Sequence, residues 1–281
     1  MRPDANPASS ASRIGPAVIS ERIAVVAGGK GGVGTSVISS LLALGCAATG
    51  ARVLLIDGHE GNGTLHLLFN VRPVRSIDAL RDPVIPVAQV CMELGDSFTL
   101  VASKPASNEQ LNLSADARRA PLQRLLPMSA QYDCVIVDAG SRLDGILAAA
   151  ESGAGKAIVV TDADRISLAA SYALLKVLAT QSPAIQGSVL VNRHDDAVAM
   201  RAGAQLIDAC MLFLNRKIEL AGIVSDDACL RAAIGAGMPI GDAAQGSTAA
   251  ETMQELALSV FPHLAKNASA RSRGMSLGSR T

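Results

Sequence analysis

The chain has 281 residues, no tryptophan, 2% aromatic residues and a formal net charge of +0. This length favours one large α/β domain, and the balanced charge and scarce aromatic side chains argue against a broadly basic or base-stacking nucleic-acid surface. The five cysteines are scattered without metal-ligand spacing, which predicts reduced thiols. The sequence has no apolar run of bilayer-crossing or secretory type, so we expect a cytoplasmic protein.

Both ends of the chain differ in composition from the middle. Residues 1–20 and 266–281 are rich in small and polar residues and lack apolar periodicity, so we predict a disordered extension and a flexible basic tail around a folded domain at 21–265. The tail lacks the apolar spacing of an amphipathic helix. Contact with the inner face of the plasma membrane is therefore expected to be weak and transient at most.

Within the folded region, short β-branched runs alternate with stretches of helical spacing. The predicted strands are 22–27, 52–57, 98–102, 133–138, 156–161, 187–192 and 219–224. The predicted helices are 36–49, 116–128, 165–180, 198–216, 227–236 and 247–261. This alternation predicts a doubly wound, mostly parallel sheet with helices on both faces, in which ligands bind at the carboxyl ends of the strands.

A glycine-rich loop, GKGGVGTS at residues 29–36, lies between the first predicted strand and the first predicted helix. Glycine permits backbone torsions and close approaches that a Cβ atom would block, so successive N–H groups can converge on an anion. The sequence therefore predicts a phosphate-binding loop. The loop consists of Gly29, Lys30, Gly31, Gly32, Val33, Gly34, Thr35 and Ser36, whose backbone would bind the phosphates.

One position of this loop departs from the usual phosphate-binding pattern. Thr35 stands where a P-loop carries the lysine that reaches the β- and γ-phosphates, whereas Ser36 keeps the hydroxyl that ligates Mg²⁺. Asp138 ends an apolar strand and is predicted to hold the same Mg²⁺ through water, as a Walker-B-type carboxylate. The sequence predicts a nucleotide site that has lost one cation.

The chain resembles the MinD/ParA family of P-loop ATPases, because GKGG places Lys30 early in the loop. This resemblance implies the deviant Walker A fold, ATP or ADP with Mg²⁺, and a nucleotide-dependent homodimer in which Lys30 reaches the partner's phosphates. Within this family the chain most resembles FlhG-type flagellar regulators, because further matching stretches occur in the same order along both sequences. These stretches are 111–114, 171–178, 190–193 and 220–240. This resemblance implies regulation of flagellar number or placement. It also implies an FlhF-type GTPase, or another flagellar or cargo protein, as the partner.

The resemblance also implies roles for residues at the strand ends. Asn192 corresponds to the residue that contacts adenine, and Asp57 opens an Asp-x-Asp segment in which His59 replaces the carboxylate that orients the attacking water. Arg142 lies on the loop that senses the γ-phosphate and could replace some of the lost positive charge. Asp57, Asp138 and His59 are thus the catalytic candidates.

The sequence is compatible with three functions. The first is a regulator that binds nucleotide, hydrolyses it weakly or not at all, and acts by nucleotide-dependent protein association. The second is an active ATPase in which Lys30, Arg142 and His59 have taken over the missing roles. The third is a pseudo-ATPase scaffold that binds no nucleotide and positions a pilus, a secretion system or other cargo.

Overall fold

The computed structural model describes residues 20–59, 63–104 and 115–265. The predicted terminal segments 1–19 and 266–281, and the stretch 111–114, lie outside the described residues. Ser20, placed in the extension by the sequence, belongs instead to the first strand, where its N–H donates to the carbonyl of Gly153 at 2.9 Å.

The described residues form one eight-stranded sheet in the order β3-β4-β2-β5-β1-β6-β7-β8, parallel throughout except for the β3–β4 pair. The strands are β1 (Ser20–Gly28), β2 (Val53–Asp57), β3 (Cys91–Glu93), β4 (Phe98–Val101), β5 (Cys134–Gly140), β6 (Ala154–Thr161), β7 (Gln186–Asn192) and β8 (Glu219–Val224). Each of the seven strands predicted from the sequence is present. The doubly wound, mostly parallel sheet is confirmed.

Helices cover both faces of this sheet. They are α1 (Thr35–Ala48), α2 (Leu65–Leu68), α3 (Ala115–Leu125), α4 (Leu143–Glu151), α5 (Arg165–Gln181), α6 (Asp196–Leu214), α7 (Ala228–Gly235), α8 (Ile240–Ala243) and α9 (Thr248–Val260). Short 3₁₀ turns occupy Ile77–Arg81, Val87–Val90 and Leu126–Gln131.

Several described elements differ from the sequence prediction. The edge strand β3 and the helices α2, α4 and α8 were not predicted, because each is short and lacks a long periodic pattern. The helix predicted over 116–128 ends at Leu125 and continues as a 3₁₀ turn. Pro127 has no N–H to donate to the carbonyl of the preceding turn, which accounts for this change.

The core consists of two apolar layers, one on each face of the sheet. Alternate residues of β1 enter different layers: Val26 packs with buried residues of α1 and α9, and Val25 packs with those of α4, α5 and α6. Strands covered on both faces read as continuous apolar runs, which is why the sequence revealed them so clearly.

One stretch of α6, Ala197–Leu214, is long and apolar enough to cross a membrane by length and composition. This differs from the sequence prediction, in which no apolar run is of bilayer-crossing type. Its residues Ala199, Leu206 and Cys210 are buried against the sheet, and α6 packs on β7 and β8. We therefore describe α6 as a helix of the α/β domain.

The order of the strands in the sheet determines where the ligand-binding crevice lies. The chain leaves β1 through α1 to β2 on one side, whereas β6 lies on the other side of β1, so the order reverses at the end of β1. Such a reversal opens a crevice at the carboxyl ends of the strands, where α/β proteins bind their ligands. The glycine-rich loop lies at this point.

Candidate functional site

The glycine-rich loop connects the end of β1 to the first turn of α1. Gly32 and Gly34 adopt positive φ angles of 86° and 94°, a conformation that glycine enters without the steric cost of a Cβ atom. Gly34 is also the N-cap residue of α1, which has neither a side-chain cap nor an acidic residue in its first turn. The free N–H groups of this helix end therefore remain available to an anion.

The loop is supported from behind by two close approaches. A Cβ atom on Gly29 would lie 2.4 Å from the carbonyl carbon of Ala170 in α5, and one on Gly34 would lie 2.5 Å from Nδ2 of Asn192. A Cβ atom on Gly32 would meet nothing within 4 Å. Neighbouring segments thus hold the loop on one side and leave its other side open.

A cavity of about 280 Å³ lies on the open side of the loop. Its volume is near the lower end of ligand pockets, which begin at roughly 300 Å³. The lining residues are Lys30, Gly31, Gly32, Gly34, Thr35, Ser36, Val37, His59, Thr64, Leu68, Gly140, Ser141 and Arg193. Most of the predicted loop residues therefore surround one space, and Val33 is buried with 2% of its surface exposed.

Asn192, at the end of β7, is held against the loop. Its side-chain amide donates to the carbonyl of Val33 at 2.8 Å, and only 6% of the residue is exposed. It also lines a second, mostly apolar cavity of about 230 Å³ between α1, β8 and α7. Its predicted contact with adenine stays a prediction, although the residue borders a space of suitable character.

Lys30 lies at the mouth of the loop cavity and forms an ion pair with Asp164, with Nζ and Oδ2 2.8 Å apart. The hydrogen bond from Lys30, together with those from Ser167, holds the pKa of Asp164 well below its usual range. Asp164 also caps α5 by accepting from the N–H groups of Ile166 and Ser167. Both charged side chains are more than a third exposed, so the ion pair remains open to exchange with other ions.

Two carboxylates lie side by side behind the loop. Asp57 and Asp138 are register partners at the ends of β2 and β5, and both are fully buried. Burial, followed by the charge of Asp138, raises the pKa of Asp57 to about 8. Burial likewise raises the pKa of Asp138, although the Ser36 hydroxyl beside it acts in the opposite direction. Two adjacent buried anions are costly unless a cation or a proton accompanies them.

The Asp138 carboxylate has one unused oxygen. Oδ1 accepts from the N–H of Gly140 at 3.2 Å, whereas buried Oδ2 has no hydrogen-bond partner among the residues that the structure describes. Magnesium prefers hard oxygen ligands, and the Ser36 hydroxyl and a carboxylate oxygen near the loop supply that chemistry. Ser36 and Asp138 therefore fit the predicted Mg²⁺ site.

His59 occupies the position where the Asp-x-Asp pattern has its second carboxylate. Its ring packs directly on Gly140, because a Cβ atom there would lie 2.6 Å from the imidazole. Burial, and then the charge of Arg142, lower the pKa of His59 below its ordinary value. The imidazole is therefore neutral at neutral pH and contributes no negative field to the cavity.

Arg142 does not line the loop cavity, although its chain neighbour Ser141 does. Its guanidinium pairs with Asp144, with Nη2 and Oδ2 3.1 Å apart, and it lines a separate small cavity beside His59. Its predicted part in phosphate binding stays a prediction. In this arrangement the arginine acts on the site through its charge on His59.

Arg193 was not predicted as a site residue from the sequence, yet it lines both the loop cavity and the apolar cavity. Its Nη1 donates to the carbonyl of Gly32 at 2.8 Å. The signal available in the sequence was its position directly after a strand-end residue that was already a candidate, Asn192. A local pattern cannot indicate that this side chain turns back over the loop.

Fold and site together define a P-loop protein of the MinD/ParA type. A glycine loop between a strand and a helix lines a cavity at the topological switch point, with strand-end carboxylates behind it. The early lysine of the loop is kept, and the later one is replaced by threonine.

Comparisons with known proteins agree with this class of protein and add a family. The chain belongs to the family described as cellulose biosynthesis protein BcsQ, whose model matches residues 22–261. It is 24% identical over 214 residues to the antiactivator FleN of Pseudomonas aeruginosa, covering 76% of each protein.

Solved structures of MinD share the fold. The cell division ATPase MinD of Pyrococcus furiosus superposes with a TM-score of 0.69 at 19% identity, over 87% of this chain and 100% of that one. The septum site-determining protein MinD of Pyrococcus horikoshii, in complex with Mg-ADP, gives 0.68 at 20% identity, over 85% of this chain and 95% of that one. These likenesses confirm the MinD/ParA architecture.

The buried carboxylates predict an unusual pH dependence of stability. Asp57 keeps its proton in the folded protein up to about pH 8 but loses it near pH 4 when unfolded. Between these values the folded state binds more protons, so the free energy of unfolding falls as pH rises. We expect Asp57→Asn to flatten this fall, measured by urea unfolding at pH 5.5 and 8 in EDTA.

Asp96→Asn is the matched control for this measurement, since Asp96 is an exposed carboxylate in the β3–β4 turn. It should leave the pH slope of the unmodified protein unchanged. An Asp57→Asn variant whose stability falls between pH 5.5 and 8 as steeply as that of the control contradicts the raised pKa.

Proposed function

We propose that the chain is a regulator that binds Mg–ATP or Mg–ADP, hydrolyses ATP slowly or not at all, and acts by nucleotide-dependent association with other proteins. The observation that carries this proposal is the open cavity between the loop and the helix end of α1, with its backbone donors in place despite Thr35. Backbone N–H groups and a helix N-terminus bind phosphate without a lysine.

Two adjoining spaces support a nucleotide as the ligand. The apolar cavity beside Asn192 shares Val37 and Arg193 with the loop cavity, so a base and a phosphate chain could occupy neighbouring compartments. A mostly apolar pocket with a few polar groups is typical of small-molecule sites. The Mg-ADP complex of the Pyrococcus horikoshii MinD, which has the same fold, agrees with this ligand class.

Mg²⁺, when bound, would neutralise phosphate charge and polarise the phosphoryl group. The Ser36 hydroxyl and Asp138, directly or through water, would hold it, since Asp138 Oδ2 is buried without a partner among the described residues. Asp57 adds a second buried carboxylate beside Asp138, which favours a cation in this part of the site.

Slow hydrolysis follows from the two substitutions. Thr35 cannot supply the positive charge that a loop lysine offers to the transferred phosphoryl group, and neutral His59 lacks the negative field of a water-orienting carboxylate. Loss of one preorganised electrostatic group typically lowers the rate ~100- to 1,000-fold. The protein would therefore act through its bound state rather than through turnover.

Dimerisation on nucleotide is the proposed means of regulation. Lys30 lies at the cavity mouth in an exposed ion pair with Asp164, from which it could be released toward the phosphates of a second copy. Exposed ion pairs are weak and exchange readily. Membrane contact and an FlhF-type partner remain parts of this proposal that follow from the resemblance alone.

Two processes are candidates for what the protein regulates. The family match over residues 22–261 favours cellulose biosynthesis, the process in the family's description. Likeness to the antiactivator FleN, and the resemblance to FlhG-type proteins, favour flagellar number or placement. The family match covers more of the chain, so we place cellulose biosynthesis first.

We expect Mg–ATP to bind the purified protein in isothermal titration calorimetry, and Ser36→Ala to weaken that binding ~10- to 100-fold through loss of a metal-side hydroxyl. ATP should also shift the protein toward a dimer in sedimentation velocity. Lys30→Ala should bind ATP as a monomer, whereas Lys176→Ala, which removes an exposed lysine of α5, should still dimerise. Absence of both heat and thermal stabilisation would favour the non-binding scaffold.

Reversing the substitutions at Thr35 and His59 should affect ATP binding and ATP hydrolysis separately. Thr35→Lys is expected to tighten ATP binding ~10-fold, because a charge-assisted hydrogen bond to phosphate is restored. Adding His59→Asp should then raise Mg-dependent phosphate release ~100-fold or more. Thr35→Met tests for the effect of side-chain length without charge, and equal affinity of the Lys and Met variants refutes this explanation.

A deletion in the strain that encodes the chain distinguishes the two processes. We expect less cellulose, measured by dye binding, and an unchanged number of flagella, counted by electron microscopy. The gene for the unmodified protein should restore cellulose and the Ser36→Ala variant should not. The opposite pattern would support the flagellar candidate, and no change in either property would contradict both.

A further inference from the structure

Replacement of the loop lysine by Thr35 raises the question of which cation faces the phosphate chain. The two candidates from the sequence are paired with carboxylates: Lys30 with Asp164, and Arg142 with Asp144. Arg142 also lies outside the lining of the loop cavity. We propose that Arg193 takes over the electrostatic role of the missing lysine, an inference that rests on nucleotide binding as the proposed function.

The backbone at Arg193 directs its side chain toward the loop. Its φ angle is +68°, a left-handed conformation that is uncommon for residues other than glycine, asparagine and aspartate. The N–H of Arg193 donates to the carbonyl of Val224 in β8 at 2.7 Å, which fixes this turn at the end of β7. An arginine held in an unfavourable backbone conformation beside a cavity is a reasonable candidate for function.

The guanidinium contacts the loop itself. Nη1 donates to the carbonyl of Gly32 at 2.8 Å, and Nη2 lies 3.6 Å from the place where a Cβ atom of Gly34 would be. Both glycines line the loop cavity. The positive charge is therefore positioned along the phosphate cradle rather than at a distance from it.

Arg193 keeps binding capacity for an anion. A guanidinium has five N–H donors, and the structure uses one of them on a neutral carbonyl. No aspartate or glutamate among the described residues pairs with it, in contrast to Lys30. Arginine binds phosphate through two parallel hydrogen bonds, which suits the unused donors.

Its location predicts which ligands depend on it. Arg193 lines both the loop cavity and the apolar cavity, so it stands where the phosphate chain would leave the base compartment. ATP and ADP should therefore lose affinity without it, whereas adenosine, which has no phosphate, should not. The same reasoning extends to tripolyphosphate, which has no base.

The test compares ATP, ADP, adenosine and tripolyphosphate in titration calorimetry with Mg²⁺. Arg193→Gly removes the cation and suits the left-handed backbone, so it separates charge from strain. We expect it to weaken ATP, ADP and tripolyphosphate binding ~10- to 100-fold with adenosine unchanged. Arg193→Lys should recover much of the loss, and Arg201→Ala, an exposed arginine of α6, should have no effect.

A double variant tests whether Arg193 and the missing lysine share one role. Thr35→Lys should improve ATP binding more in the Arg193→Gly background than in the unmodified protein, because the restored lysine then replaces an absent charge. If Thr35→Lys improves ATP binding equally in both backgrounds, Arg193 does not take the place of the missing lysine.

Further outcomes separate this inference from the proposed function. If the unmodified protein binds ATP but Arg193→Gly binds it equally well, or loses adenosine to the same extent, the role of Arg193 is refuted and nucleotide binding stands. If the unmodified protein binds neither ATP nor tripolyphosphate, both fail. Binding of tripolyphosphate alone, weakened by Arg193→Gly, supports the arginine and contradicts the nucleotide.

Discussion

Gly29 and Gly34 allow the loop after β1 to lie in direct contact with α5 and with the Asn192 side chain, and the rest of the site depends on that contact. With its rear side fixed, the loop keeps its N–H groups and the first turn of α1 directed at an open cavity. This arrangement is made of backbone. It does not depend on the side chain at position 35, so the proposed phosphate site keeps its shape although Thr35 replaces a lysine.

The second constraint is the pair of buried carboxylates. Parallel pairing of β2 with β5 sets Asp57 opposite Asp138, and the helices on both faces remove water from them. In the absence of a cation the folded protein accommodates the pair by retaining a proton on Asp57. A divalent cation would favour the charged form, so under the proposed function cation binding at Asp138 would be coupled to proton release from Asp57.

The parts of this structure that the sequence could predict are those encoded locally. Continuous apolar strands and a glycine loop between strand and helix are short-range patterns, and they gave the sheet, the loop and the carboxylates. The short elements β3 and α4 have too few residues for a periodic signal. The contact of Asn192 with the loop and the turn of Arg193 join segments 159 and 161 residues apart, so they depend on tertiary structure.

The two substitutions in the site cancel in charge, which connects its shape with its proposed behaviour. Relative to the MinD/ParA pattern, Thr35 removes one positive charge and neutral His59 removes one negative charge. Binding of a polyanion depends mainly on the summed field and the backbone cradle, whereas catalysis depends on a particular group at a particular atom. Under the proposed function, the pair of changes is therefore expected to affect turnover more than affinity. A carboxylate at position 59 without a lysine at position 35 would place a further acidic group beside Asp57 and Asp138 and oppose a triphosphate, so each substitution is tolerated best in the presence of the other.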